Sequence, residues 1–244
     1  MWVVASDECA YAGSMRALVQ RSWRTLFFVS TLVVTACGGD RVSVGTRPAQ
    51  SAASTESLVT ITVLGTNDLH GAVERLPVFA GFVDILRGQR AKLGGGVVVV
   101  DAGDMFQGTL ESNMGEGKAI VELMNAIGFD ASCVGNHEFD FGPVGAAATP
   151  KKPGDDPRGA LKARAKEARF PFLGANIFDR DSGKRVDWDN VPASRVMEVS
   201  GVKIGLIGLA TVETPQTTIA ANVAGLEFRA LAETVVTQAD ALRK

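Results

Sequence analysis

Gly94-Gly-Gly-Val-Val-Val-Val100 runs directly into Asp101-Ala-Gly-Asp104. Consecutive valines after a glycine triplet read as a strand buried on both faces, because β-branched side chains suit a pleated, packed surface. The polar cluster begins where the apolar run stops. The same arrangement recurs on either side. Leu58-Val-Thr-Ile-Thr-Val-Leu64 leads into Gly65-Thr-Asn-Asp68-Leu-His70-Gly71, and Ala131-Ser-Cys-Val134 leads into Gly135-Asn136-His137-Glu138-Phe139-Asp140. Helical patterns lie between the strands, Val78 to Arg87 and Lys118 to Ile127, the second with Ile120, Val121, Leu123 and Met124 on its apolar side. Strands alternating with helices predict an α/β layered fold. Ligands of open α/β sheets gather beyond the carboxyl ends of the strands. Three loops at one sheet edge are therefore expected to converge Asp68, His70, Asp104, Asn136 and His137. Gly65, Gly103 and Gly135 are expected to let the backbone turn sharply beside them.

Downstream, the three-proline stretch from Ala146 to Pro157 reads as a surface loop, and residues 159–169 as a short basic helix. Lys151 to Arg169 holds seven basic and three acidic residues. A solvated face is the preferred reading there, with anion steering the weaker one. Phe172 to Ile177 reads as a further strand. Val196 to Val199 and Val202 to Ile207, joined by Ser200-Gly201, read as a β-hairpin. Ala230 to Leu242 reads as a closing helix.

Upstream, the pattern is of a different kind. Arg16, Arg21 and Arg24 precede the apolar run Leu26 to Val34, followed by Thr35-Ala36-Cys37. A basic region, a short apolar region and small residues describe a secretory signal peptide over residues 1–36. The run is shorter than the ~20 apolar residues a membrane span needs. Val34-Thr35-Ala36-Cys37 resembles a bacterial lipobox with Cys37 as the lipidated residue. Asp7 and Glu8 do not suit the basic region, so translation is expected to start at Met15, with residues 1–14 a misassigned start. Residues 37–57, rich in Gly, Ser, Ala and Thr, read as a flexible tether with an average reach of roughly 25 Å. The expected location is the bacterial cell envelope, outside the cytoplasm and held to a membrane through Cys37.

The whole chain of 244 residues carries 25 Lys and Arg against 27 Asp and Glu, a net charge of −2, with 46% hydrophobic residues. This composition excludes chain-wide disorder and leaves no broad cationic field for nucleic acid as main partner. Of the three cysteines, Cys9 falls in the leader and Cys37 in the lipobox. Cys133 alone remains, read as a buried small hydrophobe with no disulfide partner.

Asp and Asn oxygens with His nitrogens suit Mn²⁺, Mg²⁺ or Zn²⁺, and the lack of thiolates argues against a structural zinc site. A carboxylate such as Asp104 can bridge two cations, and two cations ~3.5–4 Å apart can generate hydroxide and clamp a phosphoryl group. His137 then serves as proton donor or charge stabiliser, with Asp140 orienting its imidazole.

Asp68-x-His70, Gly103-Asp104 and Gly135-Asn136-His137-Glu138 resemble the first three blocks of the calcineurin-like metallophosphoesterases. Thr66 to Gly71, Gly103 to Thr109, Gly135 to Gly142 and the later Gly201 to Thr211 with Glu213-Thr-Pro215 are similar to the bacterial 5′-nucleotidase / UDP-sugar hydrolase branch. The resemblance runs from about residue 58 to about residue 215. It implies a two-sheet sandwich flanked by helices, in α-β-β-α layers, with two divalent metal ions and a nucleotide or other phosphoester as substrate. It implies Asp68 and His70 on one metal, Asp104 bridging, Asn136 on the second, and His137 with Asp140 as the catalytic dyad.

The chain departs from that pattern in one respect. The family completes its metal site with later Gly-His and Gly-His-x-His blocks, whereas this chain has two His in all, His70 and His137. Residues 58–244 are accordingly read as the N-terminal portion of the catalytic domain, incomplete at the C-terminus, with weak second-site affinity and little activity alone. Two other readings remain open: a lipid-anchored, non-catalytic binding protein on the same scaffold, and a cyclic-nucleotide phosphodiesterase or sulfur-oxidation hydrolase of the same superfamily.

Overall fold

The computed structural model describes residues 58–244 and a strand, β1, at Trp2–Ala5. The rest of the expected leader, the tether over 37–57 and Cys37 lie outside the described residues. Among the described residues no helix is long and apolar enough to cross a membrane.

Strands β2 (Ile61–Thr66), β3 (Gly96–Asp101), β4 (Ala131–Cys133) and β5 (Phe172–Leu173) form one parallel sheet in that order. The connections carry α1 (Leu76–Lys92), α2 (Leu110–Met114), α3 (Lys118–Ile127) and α4 (Gly159–Glu167). The valine run of β3 divides its side chains by the two-residue period of a strand. Val99 joins Leu64, Phe79, Val83, Ile120 and Met124 in the core under the helices. Val98 and Val100 point the other way and meet Ile204 and Leu206 of a second sheet.

That second sheet is antiparallel, ordered β1, β8 (Val202–Gly208), β7 (Ser194–Val199). Its hairpin turn places Ser200 and Gly201 at φ 50° and 82°. Two successive positive φ values match the turn twist that tight hairpins need. Helix α7 (Leu231–Leu242) closes the outer face, packing Leu231, Val235, Ala239 and Leu242 on Ile207 and Leu209. The order helix, sheet, sheet, helix is the four-layer sandwich expected.

Three details differ from the sequence reading. Gly65 makes no turn; it sits inside β2 opposite Val100. Helix α1 begins earlier than Val78, because Pro77 in its first turn is preset for helix and donates no amide there. The strand expected over 172–177 is broken. After β5 the chain crosses to a separate ribbon, in which β6 (Ile177–Asp179) pairs antiparallel with β9 (Leu226–Phe228). The break is held by fully buried Asn176, whose amide donates to Ala210 O at 2.8 Å and Arg229 O at 3.0 Å and accepts from Ala210 N. Two short helices, α5 (Thr214–Thr217) and α6 (Ala220–Val223), bridge β8 to β9.

Candidate active site

The loops after β2, β3 and β4 leave one edge of the parallel sheet and bond to one another. Asp68 N donates to Gly103 O at 3.0 Å, His70 N to Asp104 O at 3.0 Å, and Gly71 N to Met105 O at 2.9 Å. His137 N donates to Asp104 Oδ1 at 2.9 Å. The His70 and His137 rings meet edge to face with centroids 4.7 Å apart. Asp68, His70, Asp104, Asn136 and His137 thus occupy one neighbourhood, with Asp140 beside His137.

Three of the six left-handed non-glycine residues among the described residues fall here. Asp68, His70 and Asp104 have φ of 51°, 47° and 60°. Each left-handed non-glycine residue costs about 1–3 kcal/mol and persists only where its surroundings over-determine it, and the interlocked loops supply that constraint. Gly135 is required for a different reason. A Cβ there would lie 2.4 Å from Asp104 Oδ1 and 2.6 Å from Asp104 N, so only glycine lets the two loops touch.

Each candidate ligand is tethered through one atom and has another left to offer. His70 Nδ1 bonds Gln107 O at 2.9 Å, which makes Nδ1 the protonated nitrogen and leaves the Nε2 lone pair, 3.7 Å from Asp68 Oδ1. Asp68 Oδ2 accepts from the Asn67 amide. Asp104 commits Oδ1 to His137 N, leaving Oδ2. The Asn136 amide nitrogen donates to Thr217 O at 3.2 Å, leaving its carbonyl oxygen. Orientation of a ligand through its second polar atom is the usual support for a metal-binding side chain. Among the described residues, no three His, Cys, Asp or Glu side chains already form a closed cation cage. The donors are each oriented and lie on adjoining loops.

His137 Nδ1 and Asp140 Oδ2 are 2.5 Å apart, and Thr218 Oγ1 donates to the other Asp140 oxygen at 2.7 Å. Asp140 is therefore held from two sides, and it fixes the imidazole with Nε2 turned away from the carboxylate. A cleft of about 250 Å³ opens beside Asp68 and His70, walled by Phe79, Leu76 and Thr109.

No family model matches the chain. Protein UshA of Salmonella pullorum is 34% identical over 197 residues, 77% of this chain and 32% of that protein. A 5′-nucleotidase of Vibrio vulnificus is 30% identical over 191 residues, 75% of this chain and 31% of that protein. The crystal structure of a 5′-nucleotidase precursor from Thermus thermophilus superposes with a TM-score of 0.56 at 28% identity, covering 74% of this chain and 34% of that one. Over these residues the chain belongs to the 5′-nucleotidase family. It spans about a third of the length of the curated relatives it matches.

In this domain two buried carboxyl groups support the site, and neither carries a role in the sequence reading. Asp101, at the end of β3, accepts from Thr66 Oγ1 at 2.6 Å, Ser132 Oγ at 3.0 Å and Gly103 N at 2.8 Å. It ties together the ends of three strands. Burial pushes its pKa up to about 7, against the pull of these hydrogen bonds. Glu138 is also buried and takes amides from the loop after β3 and from its own: Asp104 N at 2.9 Å, Met105 N at 2.8 Å and Gly135 N at 2.6 Å. Burial first, and the Asp104 charge second, raise its pKa to about 8. Thr217 and Thr218 were missed as well, since they reach the site from α5 and the residue after it, some eighty positions downstream. A Glu directly after Asn-His in a strand-end loop is a faint sequence signal for Glu138. Nothing local marks Thr218.

Proposed function

We propose that this domain is the metal-binding part of a phosphoester hydrolase that removes phosphate from nucleotides outside the cytoplasm. The observation that carries the reading is the meeting of three strand-end loops, each presenting an oxygen or nitrogen donor whose other polar atom is already tethered. Asp68, His70 and Asp104 would hold one divalent cation, and Asp104 and Asn136 a second. Mn²⁺, Mg²⁺ and Zn²⁺ all accept this donor set. When bound, the cations supply a Lewis acid for the phosphoryl oxygens and a nucleophile at neutral pH.

The chain's own residues account for the rest. Asp140, braced by Thr218, accepts from His137 Nδ1–H and fixes the ring with Nε2 turned outward. From there Nε2 would pass a proton to the oxygen that leaves phosphorus as the ester bond breaks. Interlocking of the three loops keeps these groups in register before substrate arrives. Two protein donors hold the second cation weakly, so turnover by this chain alone is expected to be low. On the sequence reading, Cys37 carries lipid and the tether lifts the domain from the membrane surface.

Phosphate release from AMP by the purified chain with added Mn²⁺ tests the proposal. His137→Ala should cut the rate by about 10²-fold or more while bound Mn²⁺ is unchanged. Release indifferent to the cation or to His137 removes the hydrolase reading. Parallel loss of Mn²⁺ in His137→Ala makes His137 a ligand instead of an acid.

A further inference from the structure

A second cleft, of about 390 Å³, lies between the start of α4, the turn after β6 and the start of β9. None of the six candidate active-site residues lines it. Its volume is that of a small-molecule site. Arg158, Lys162, Lys184 and Arg185 face it, with Trp188, Val186 and Leu226 supplying an apolar wall.

The charges of this cleft are unevenly matched. Lys162 is satisfied: its Nζ bonds Asp156 Oδ2 at 2.8 Å and lies 5.3 Å from the Trp188 ring centre. Arg158 and Arg185 are not. Each is half-buried, and burial lowers the pKa of each guanidinium. Their hydrogen bonds go to backbone carbonyls, Arg158 to Ala224 O and Arg185 to Val191 O, the second at 2.8 Å. Among the described residues no carboxylate lies within ion-pair distance of Arg158, Arg185 or Lys184. Arg158 Nε is a buried donor with no partner.

The acidic residues of the lining do not fill the gap. Asp179 spends Oδ1 on Ser182 N at 2.8 Å and Ser182 Oγ at 2.7 Å, which holds the turn that carries Lys184. Asp156 and Asp179 attract Arg158, and Asp187 attracts Arg185, in each case from outside ion-pair distance. Two partly desolvated guanidiniums beside a free ammonium are costly unless an anion completes them. Guanidinium forks match phosphoryl oxygens, and lysine adds a point charge.

We propose that this cleft binds the phosphoryl group of a small organic phosphate, the phosphate on Arg158, Arg185 and Lys184 and the remainder of the molecule along Trp188 and Leu226. The cleft is separate from the candidate active site and needs no metal. Its occupant could be an ester or a free phosphate ion, and the two sources are distinguishable.

Trp188 is the reporter. The full chain, kept metal-free with EDTA, is titrated with AMP, inorganic phosphate, adenosine and matched sodium chloride while the indole N–H signals are followed by NMR. Trp188→Phe identifies its signal among the three tryptophans. AMP should shift the Trp188 signal saturably, and adenosine and chloride should not. Lys184→Gln with Arg185→Gln should weaken the response at least tenfold while the far-UV spectrum and melting temperature hold. AMP binding tighter than phosphate assigns an organic phosphate; equal binding assigns the phosphate ion. A Trp188 signal unmoved by both, or moved equally by chloride, or unaltered in affinity by the double substitution, overturns the proposal. Neither Lys184 nor Arg185 bears on His137 or the cation donors, so this result stands apart from the fate of the hydrolase reading.

Discussion

The two ends of the sandwich are built on different terms. The outer layer, β7, β8 and α7, is held by apolar side chains such as Leu206, Ile207, Val235 and Ala239, with a tight turn at Ser200-Gly201. The loop edge of the parallel sheet holds three left-handed non-glycine residues, two buried carboxyl groups and backbone contacts that leave no room for a Cβ. The first region gains its stability from burial and tolerates small changes in shape. The second stores strain and buried charge, and keeps them because Glu138 and Asp101 collect the loop and strand-end hydrogen-bond donors. Strain of this kind belongs where donors must be pre-aimed.

Substitution of matched glycines gives the widest contrast. Gly135→Ala forces its Cβ against Asp104 backbone and carboxylate and should cost about 3 kcal/mol or more. Gly205→Ala in β8 meets Leu242 Cδ1 at 3.0 Å, the tip of a flexible side chain near the end of α7, and should cost under ~1 kcal/mol. Urea unfolding of the two variants measures both. Equal costs would mean the loop contact is looser than its geometry implies.

A second contrast is functional. His137→Ala should abolish most hydrolysis, whereas Val235→Ala in α7, remote in contact from the site, should lower melting temperature and leave turnover per folded molecule unchanged. Initial rates normalised to folded fraction separate the two.

The pH dependence should also come from the loop edge. The folded pKa of Asp101 lies near 7, above its ordinary value of 3.8. A carboxyl raised in the fold stabilises fully below the unfolded pKa and loses that contribution as pH rises through the folded one. Metal-free protein should therefore lose stability between about pH 4 and about pH 7 from this group, with Glu138 continuing the loss toward 8. Asp101→Asn, which retains a polar amide for Thr66 and Ser132, should flatten the first part of the slope. Urea midpoints at a series of pH values check this, and an unchanged slope would place the titration elsewhere.

Within the loop edge the mildest effect is expected at Thr218. Thr218→Val removes one hydrogen bond to Asp140 and should reduce turnover about tenfold, the equivalent of ~1.4 kcal/mol, with Thr218→Ser restoring it. A loss in the serine variant equal to that in valine would assign the effect to packing.

The difference between the two ends also decides what the sequence disclosed. Strand ends of the parallel sheet were legible because Val97 to Val100 and Ile61 to Leu64 stop abruptly at polar residues, and topology then forces those ends to one edge. The hairpin was legible from Ser200-Gly201. Glu138 was not, because a glutamate that accepts three backbone amides has the same letter as one in solvent. Thr218 reaches Asp140 across 78 positions, a relation no local pattern carries. Asn176 ended a strand that its apolar neighbours extended, since its side chain replaces the missing ladder bonds. Arg158 belonged to a basic stretch that read as a solvated face, and Arg185 to a segment with no local pattern to read. Their shared cleft exists only once β6 and β9 pair.

The proposed chemistry requires the loops after β2, β3 and β4 to hold divalent cations together. Paramagnetic broadening of amide NMR signals by trace Mn²⁺ tests it most directly. Signals of Asp68, His70, Asp104, Asn136 and His137 should disappear together, before any others, and return with EDTA. Broadening limited to one of the three loops, or scattered over exposed acidic residues such as Glu198 and Glu233, would contradict a shared site.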